Sequence, residues 1–232
     1  MNIEKLIDKK VLVFDVETTG LPERKSYYAI GIDEYYEPDD IEKYNECRIV
    51  SIAWTYLEKF NFDSLNSCAV TTYIRKPIDF INIPNSNFHG VTYENAKKNG
   101  KLLSKIMNDE LSDILEDVDY IVGHNVTFDI FVLMSELSRI KFLDNFNILK
   151  KILDEKRYLC TGELGRDICK LYTKQKEYKY KMPKLKELYE KLYGDDNVRQ
   201  HAISCRVDNI DDINFGKNKA FFLQLLLRFV FL

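Results

Sequence analysis

Several things are missing from this chain, and each absence closes off a class of protein. The 232 residues include five cysteines, at 47, 68, 160, 169 and 205, and no two of them form a Cys-x-x-Cys pair. An odd count with that spacing absent argues against a disulfide framework and against zinc. No apolar leader core stands at the N-terminus, so a reducing, intracellular setting, cytoplasm or nucleus, is expected. Strong charge of one sign is also missing. The formal net charge is −3, which provides no global field for nonspecific nucleic-acid binding, so a polyanion must be gripped locally or through metal. Long apolar runs are absent too. The most apolar stretch, residues 220–232 (AFFLQLLLRFVFL), is thirteen residues with Arg228 inside. That is too short to cross a bilayer, so no membrane span is expected. A core helix is the first expectation there, and a membrane-anchoring or partner-docking tail is the alternative.

What is present is ordinary globular material, 45% hydrophobic and 31% charged, enough for one sizeable core. We expect a single domain over residues 1–232 with its core at about 9–208. Residues 22–46 are polar and punctuated by Pro22, Gly31 and Pro38, which predicts a surface insertion. Residues 209–232 form an apolar C-terminal tail. Residues 11–14, 47–57 and 67–75 read as consecutive strands of an antiparallel meander. Thr92 is placed to cap a short helix that Gly100 stops. Apolar residues at helical period then predict an amphipathic helix over 102–118, and further helices over 126–139, 142–153, 163–172 and 184–193. Short strands are predicted at 119–123 and 158–160. A meander followed by alternating helices and strands gives a three-layer α/β domain with a mixed sheet of five strands.

The chemistry begins at residues 11–21, VLVFDVETTGL. In an extended chain Asp15 and Glu17 point to one face and Val16 to the other. Two ionised carboxylates side by side repel unless something positive lies between them. A hard divalent cation with oxygen ligands is one remedy, although one of the acids could simply cap the turn. A second acid, Asp129, follows a strand end in Gly123-His124-Asn125-Val126-Thr127-Phe128-Asp129. Ligands of open α/β sheets gather at the carboxyl ends of strands. An Asp in a first helical turn also suits the helix dipole by itself. A third station is His201, one of only three histidines beside His89 and His124. Its side-chain type can act as a base near neutral pH, or it can be structural.

Taken in order, Asp15-Val16-Glu17-Thr18-Thr19-Gly20, Phe88-His89-Gly90-Val91-Thr92, the Asp129 segment, the helix at 184–189 and His201 resemble the DEDDh family of 3′–5′ exonucleases. That group includes the proofreading epsilon subunit of bacterial replicative DNA polymerase and oligoribonuclease. The resemblance covers about residues 11–208. It implies a ribonuclease H-like fold and two divalent cations, Mg2+ or Mn2+. Asp15 would bridge both ions, Glu17 would bind the nucleophile-side ion, and Asp129 would serve the leaving-group side. His201 would take a proton from the attacking water, and Thr18 and His89 would contact the terminal nucleotide. The implied reaction is release of nucleoside 5′-monophosphates from the free 3′ end of single-stranded DNA or RNA. The implied partners are that nucleic acid and a polymerase or other replication or repair protein.

The chain departs from the family pattern at one point. The family carries an acid five residues after the histidine, and here that residue is Arg206. Asp208 is the nearest acid and is expected to be the fourth metal ligand. On a continuous helix the two positions differ by about 200° of rotation, so a longer loop must precede the helix if Asp208 serves. Otherwise the acid is missing or the tail has diverged. This motivates an alternative function: a catalytically impaired nucleic-acid-binding or partner-docking module of the same fold. A phosphodiesterase acting on dinucleotides is a third possibility. Residues 170–191 hold eight lysines against three glutamates, interleaved with Tyr172, Tyr178, Tyr180 and Tyr189. This composition suits phosphate neutralisation and base stacking, and it equally suits a solvated helix face.

Overall fold

The computed structural model describes residues 3–26, 31–61, 69–173 and 179–194. Its centre is β1 (Val11–Thr18), whose first four residues are apolar and fully buried. β1 pairs antiparallel with β2 (Ile49–Leu57), and β2 pairs antiparallel with β3 (Thr71–Ile74). On its other edge β1 runs parallel to β4 (Tyr120–Gly123), which runs parallel to β5 (Tyr158–Cys160). The order β3-β2-β1-β4-β5 is the mixed five-stranded sheet expected from a meander followed by crossovers.

The pleat of β1 divides the core in two. Leu12, Phe14 and Val16 face the larger cluster, and Val11 and Val13 face the smaller one. Each such side chain stabilises the fold by about 1.5–3 kcal/mol on burial. The larger side is covered by three helices. In α2 the segments Leu103–Ile106, Met107–Leu111 and Ser112–Asp117 run on as one rod, the middle one a π-turn. α3 is Val126–Arg139 and α4 is Leu143–Asp154. A short α1 (Tyr93–Asn99) precedes them, with the Thr92 hydroxyl accepting from Asn95 N–H and Gly100 following its last residue. On the smaller side lie α5 (Thr161–Cys169) and α6 (Leu185–Tyr193), bringing Leu164 and Leu185 onto the sheet.

Some expectations change. The helix at 126–139 has the predicted ends but is not amphipathic. Nearly every side chain from Val126 to Leu137 is buried, the state of a helix covered on all sides. Part of its outer cover comes from the described residues of the 22–46 stretch. Its short turns Gly31–Glu34 and Ile41–Tyr44 deliver Tyr35 and Tyr44 into the main core, and the Tyr35 ring lies 5.5 Å from that of Phe131. The polar residues around these tyrosines hid their role. α5 also begins and ends earlier than predicted, closing where Lys170 takes a left-handed conformation (φ 51°). Among the described residues no helix is long and apolar enough to cross a membrane.

Candidate active site

β1 outruns its parallel neighbour. Pairing with β4 stops at Val13↔Val122, while β1 continues to Thr18. A strand edge that loses its neighbour exposes backbone donors that must be satisfied. Asp129 meets this need: its Oδ1 accepts the Val16 N–H at 2.9 Å in a buried bond. Val16 lies between Asp15 and Glu17, so this bond brings the third predicted acid to the strand end that carries the other two. Asp15 and Glu17 are half-buried and Asp129 is 3% exposed.

Local chain chemistry makes this approach possible. A Cβ on Gly123 would sit 3.0 Å from the Phe14 carbonyl oxygen and 2.9 Å from the Val126 side chain, so β4 can end hard against β1 only with glycine there. Asn125 then adopts φ 61°, a conformation asparagine tolerates better than most residues, and α3 starts at once. At the far end of β1 the register slips between Glu17 and Thr18, leaving Val50 as the extra residue on β2. Bulges of this kind re-aim side chains at strand ends. The Val50 carbonyl instead accepts the Arg75 N–H at 2.9 Å.

The turn that follows is strapped down. The Thr18 hydroxyl donates to the Gly20 carbonyl at 2.7 Å. The Thr19 hydroxyl donates to the Glu46 carbonyl at 2.7 Å and accepts the Arg48 N–H at 2.9 Å. A Cβ on Gly20 would lie 2.8 Å from that same Glu46 oxygen, which explains glycine at the close of the ETTG run. Beneath the turn, burial pushes the Cys47 thiol up to about 12 despite its bond to Thr18. It is therefore a packing group, not a nucleophile.

His89 is 4% exposed, and both its ring nitrogens meet backbone. Nδ1 accepts the Val91 N–H at 3.1 Å, so the proton sits on Nε2, which faces the Pro84 carbonyl at 3.3 Å. Val91 belongs to a small apolar cluster with Val50, Ile83 and Ala96. The predicted contacts Thr18 and His89 both bond to backbone, Thr18 to Gly20 O and His89 to Pro84 and Val91. The remaining predicted residues, His201 and Asp208, lie outside the described residues, as does the 220–232 stretch.

Two further residues belong to this neighbourhood. Tyr35 reaches across from the insertion and hydrogen-bonds the Asn125 side chain. Its burial, with Glu34 and Asp129 near, holds its pKa well above the phenolic range. Nothing in sequence spacing connects residue 35 to residue 125. His124 is partly buried, and desolvation lowers its pKa against the opposing pull of the Pro183 carbonyl and the Asp15 charge. In the neutral ring Nε2–H donates to Pro183 O at 3.0 Å, and Nδ1 accepts from the Thr161 hydroxyl, also at 3.0 Å. In sequence His124 was part of the Asp129 motif with no role assigned; the structure makes it the staple between the end of β4 and the approach to α6.

Asp15, Glu17 and Asp129 offer only oxygen donors, the type a hard Mg2+ or Mn2+ takes. Ser51 stands cross-strand from Glu17, and its buried Oγ has no hydrogen-bond partner among the described residues. A polar ligand at this strand end would satisfy it. Among the described residues, however, no group of three or more His, Cys, Asp or Glu closes tightly enough to hold an ion. The donor set therefore fits a hard cation by type alone, and the described residues do not close round one.

No protein-family model and no curated protein matches the chain. Solved structures do. E. coli Exonuclease I in complex with a dA16 oligonucleotide aligns over 96% of this chain and 42% of its own, at 15% identity and a TM-score of 0.53. The same enzyme with a dT13 oligonucleotide aligns over 56% of this chain and 24% of its own, at 19% identity and a TM-score of 0.39. Cell-death related nuclease 4 (CRN-4) aligns over 57% and 40%, at 11% identity and a TM-score of 0.35. The chain therefore spans less than half the length of these nucleases. What it shares with the first of them is the fold: a three-layer, ribonuclease H-like α/β arrangement around a mixed five-stranded sheet.

Proposed function

We propose that this protein is a metal-dependent 3′–5′ exonuclease of the DEDDh type, acting on single-stranded DNA or RNA. The observation that carries the proposal is the bond from Val16 N–H to Asp129 Oδ1. It gathers an acid from a helix 113 residues away to the strand end bearing Asp15 and Glu17. A fold shared with Exonuclease I, solved in complex with a dA16 oligonucleotide, supports the same reading.

In this reading Asp15, Glu17 and Asp129 hold two divalent cations, with Asp208 as the fourth carboxylate. What such cations supply when bound is charge neutralisation at phosphorus and a water acidic enough to attack. His201 accepts the proton that the water loses. Thr18 and the His89 turn border the place where the 3′ nucleotide lies. The products are nucleoside 5′-monophosphates. A polymerase or other replication or repair protein is the partner class this implies, and the free thiols of Cys47, Cys160 and Cys169 suit a reducing, intracellular setting.

Incubation of 3′-labelled oligonucleotides with Mg2+ or Mn2+ tests the proposal. The wild type releases labelled mononucleotide, and Asp15→Ala slows release by about 100-fold or more, the scale of several kcal/mol lost from metal-assisted charge stabilisation. Equal rates for mutant and wild type would falsify the assignment. A second reading rests on Arg206, which stands where the family has an acid: a nucleic-acid-binding module that has lost catalysis. Intact strand binding without hydrolysis in either metal would select it. Hydrolysis confined to dinucleotides would select a phosphodiesterase instead.

A further inference from the structure

The lysine- and tyrosine-rich stretch after α5 is only partly explained by packing. Tyr172 and Tyr180 are joined by an antiparallel backbone bridge, and Lys181 N–H donates to the Leu171 carbonyl at 2.7 Å. Their rings pair edge to face, with centroids 5.8 Å apart and planes at 64°. Arg166 ties the Tyr180 side of this bridge to α5. It donates to the Tyr180 carbonyl at 2.7 Å while its Nε holds Glu163, also at 2.7 Å. Yet Tyr172 remains 84% exposed. A large aromatic ring held by a braced backbone and left in water has a low ordering cost for any ligand that stacks on it.

Two lysines beside the pair are not taken up by acids among the described residues. Lys170 and Lys179 are exposed, and neither forms an ion pair among the described residues. The Lys179 ammonium lies 5.1 Å from the Tyr180 ring centre. The position is also set. Three residues beyond Tyr180, Pro183 O accepts from His124, whose ring feels the Asp15 charge. Leu185, two residues further, packs with Val11 and Val13, the row that Asp15 and Glu17 continue by strand alternation. From Pro183 back to Tyr180 the chain reaches at most about 10 Å.

We propose that the Tyr172–Tyr180 pair is a stacking platform for a base of the single strand upstream of its reacting 3′ end, with Lys170 and Lys179 neutralising the adjoining phosphates. This rests on the exonuclease reading for its direction and extends it with a second contact region. Base-on-aromatic stacking tolerates any sequence, which suits a strand that must slide after each cleavage.

The test uses the full chain with Mg2+ or Mn2+ and a length series of single-stranded oligonucleotides. For each protein, KM is measured on the shortest strand cleaved and on a long one. In the wild type the long strand has the lower KM. With Tyr172→Ala that advantage shrinks by roughly 5- to 150-fold, the range of one lost base stack, and Tyr172→Phe, which keeps the ring face, retains it. An unchanged KM ratio in Tyr172→Ala overturns the platform and leaves the surface to another partner, such as an acidic peptide. If the wild type cleaves nothing, the exonuclease reading fails on its own. Fluorescence anisotropy with the same labelled long strand then decides the platform: weaker binding by Tyr172→Ala, restored in Tyr172→Phe, upholds it, and equal binding removes it.

Discussion

At the scale of single residues, His124 shows how burial can outrank charge. The Pro183 carbonyl and the Asp15 carboxylate both favour an imidazolium, yet desolvation keeps the ring neutral and its pKa below the usual value. The unfolded chain takes up this proton near pH ~6.5, and the folded chain does so only at lower pH. Between those points the unfolded state binds more protons, so stability is fully present above pH ~6.5 and is lost as pH falls toward the folded pKa. Urea midpoints measured on either side of that pH in metal-free buffer are expected to fall more for the wild type than for His124→Gln. Equal falls would mean that His124 contributes nothing to the acid limb. Gly20 and Gly123 belong to the same scale. Each leaves room for a backbone or side-chain neighbour under 3.0 Å from where a Cβ would stand.

At the scale of elements, α3 joins the candidate site to the rest of the sheet. Asp129 and Glu136 are seven residues apart, two turns on one face. Asp129 closes the edge of β1, and Glu136 holds the start of β2. Glu136, fully buried, accepts from Arg48 Nε at 2.9 Å, from Arg75 at 2.8 Å and from Ile49 N–H at 3.2 Å. Asp79 balances the second positive charge through bonds to both arginines, and the Phe80 ring lies 5.2 Å from each guanidinium. Because the Arg48 backbone also clasps Thr19, this ionic group braces the turn after Glu17. Removing one member of a buried pair strands the others without compensation. Glu136→Ala is therefore expected to cost about 3–5 kcal/mol, read as a lower urea midpoint at constant m-value. A loss under about 1 kcal/mol, the range of surface pairs, would show that water repairs the network.

At the scale of the whole molecule, two cores share one sheet, and the acids stand where the central strand leaves both. In the proposed reading, a cation held by Asp15, Glu17 and Asp129 binds the folded state only. Binding that favours the folded state raises stability by about 2.7 kcal/mol at a hundredfold excess over Kd. For a chain of this size that corresponds to a Tm rise of about 5–10 °C. Mg2+ or Mn2+ is expected to produce such a rise in the wild type and not in Asp129→Asn. Asparagine keeps an oxygen for the Val16 N–H and removes the charge, so the variant tests the cation and not the strand bond. A wild-type Tm that ignores both metals would count against a metal centre here, independently of any nuclease assay.

Much of this was written in local patterns. Alternation along 11–17 determines that Asp15 and Glu17 share a face, and the burial of Val16 in the main core agrees. The ends of the helix at 126–139 and of the strand at 158–160 follow from apolar period and from the turn residues beside them. Such patterns report which side of an element avoids water, a property of neighbours in sequence. Other features were decided only in three dimensions. β1 extends beyond β4, so Val16 needs an acceptor and Asp129 meets it. Tyr35 covers α3 and bonds Asn125, 90 residues away in the chain. Arg48 finds Glu136 across a separation of 88 residues. Backbone donors and buried charges must find partners wherever packing leaves them, and where that is depends on strand lengths and layer contacts that no short window of sequence contains.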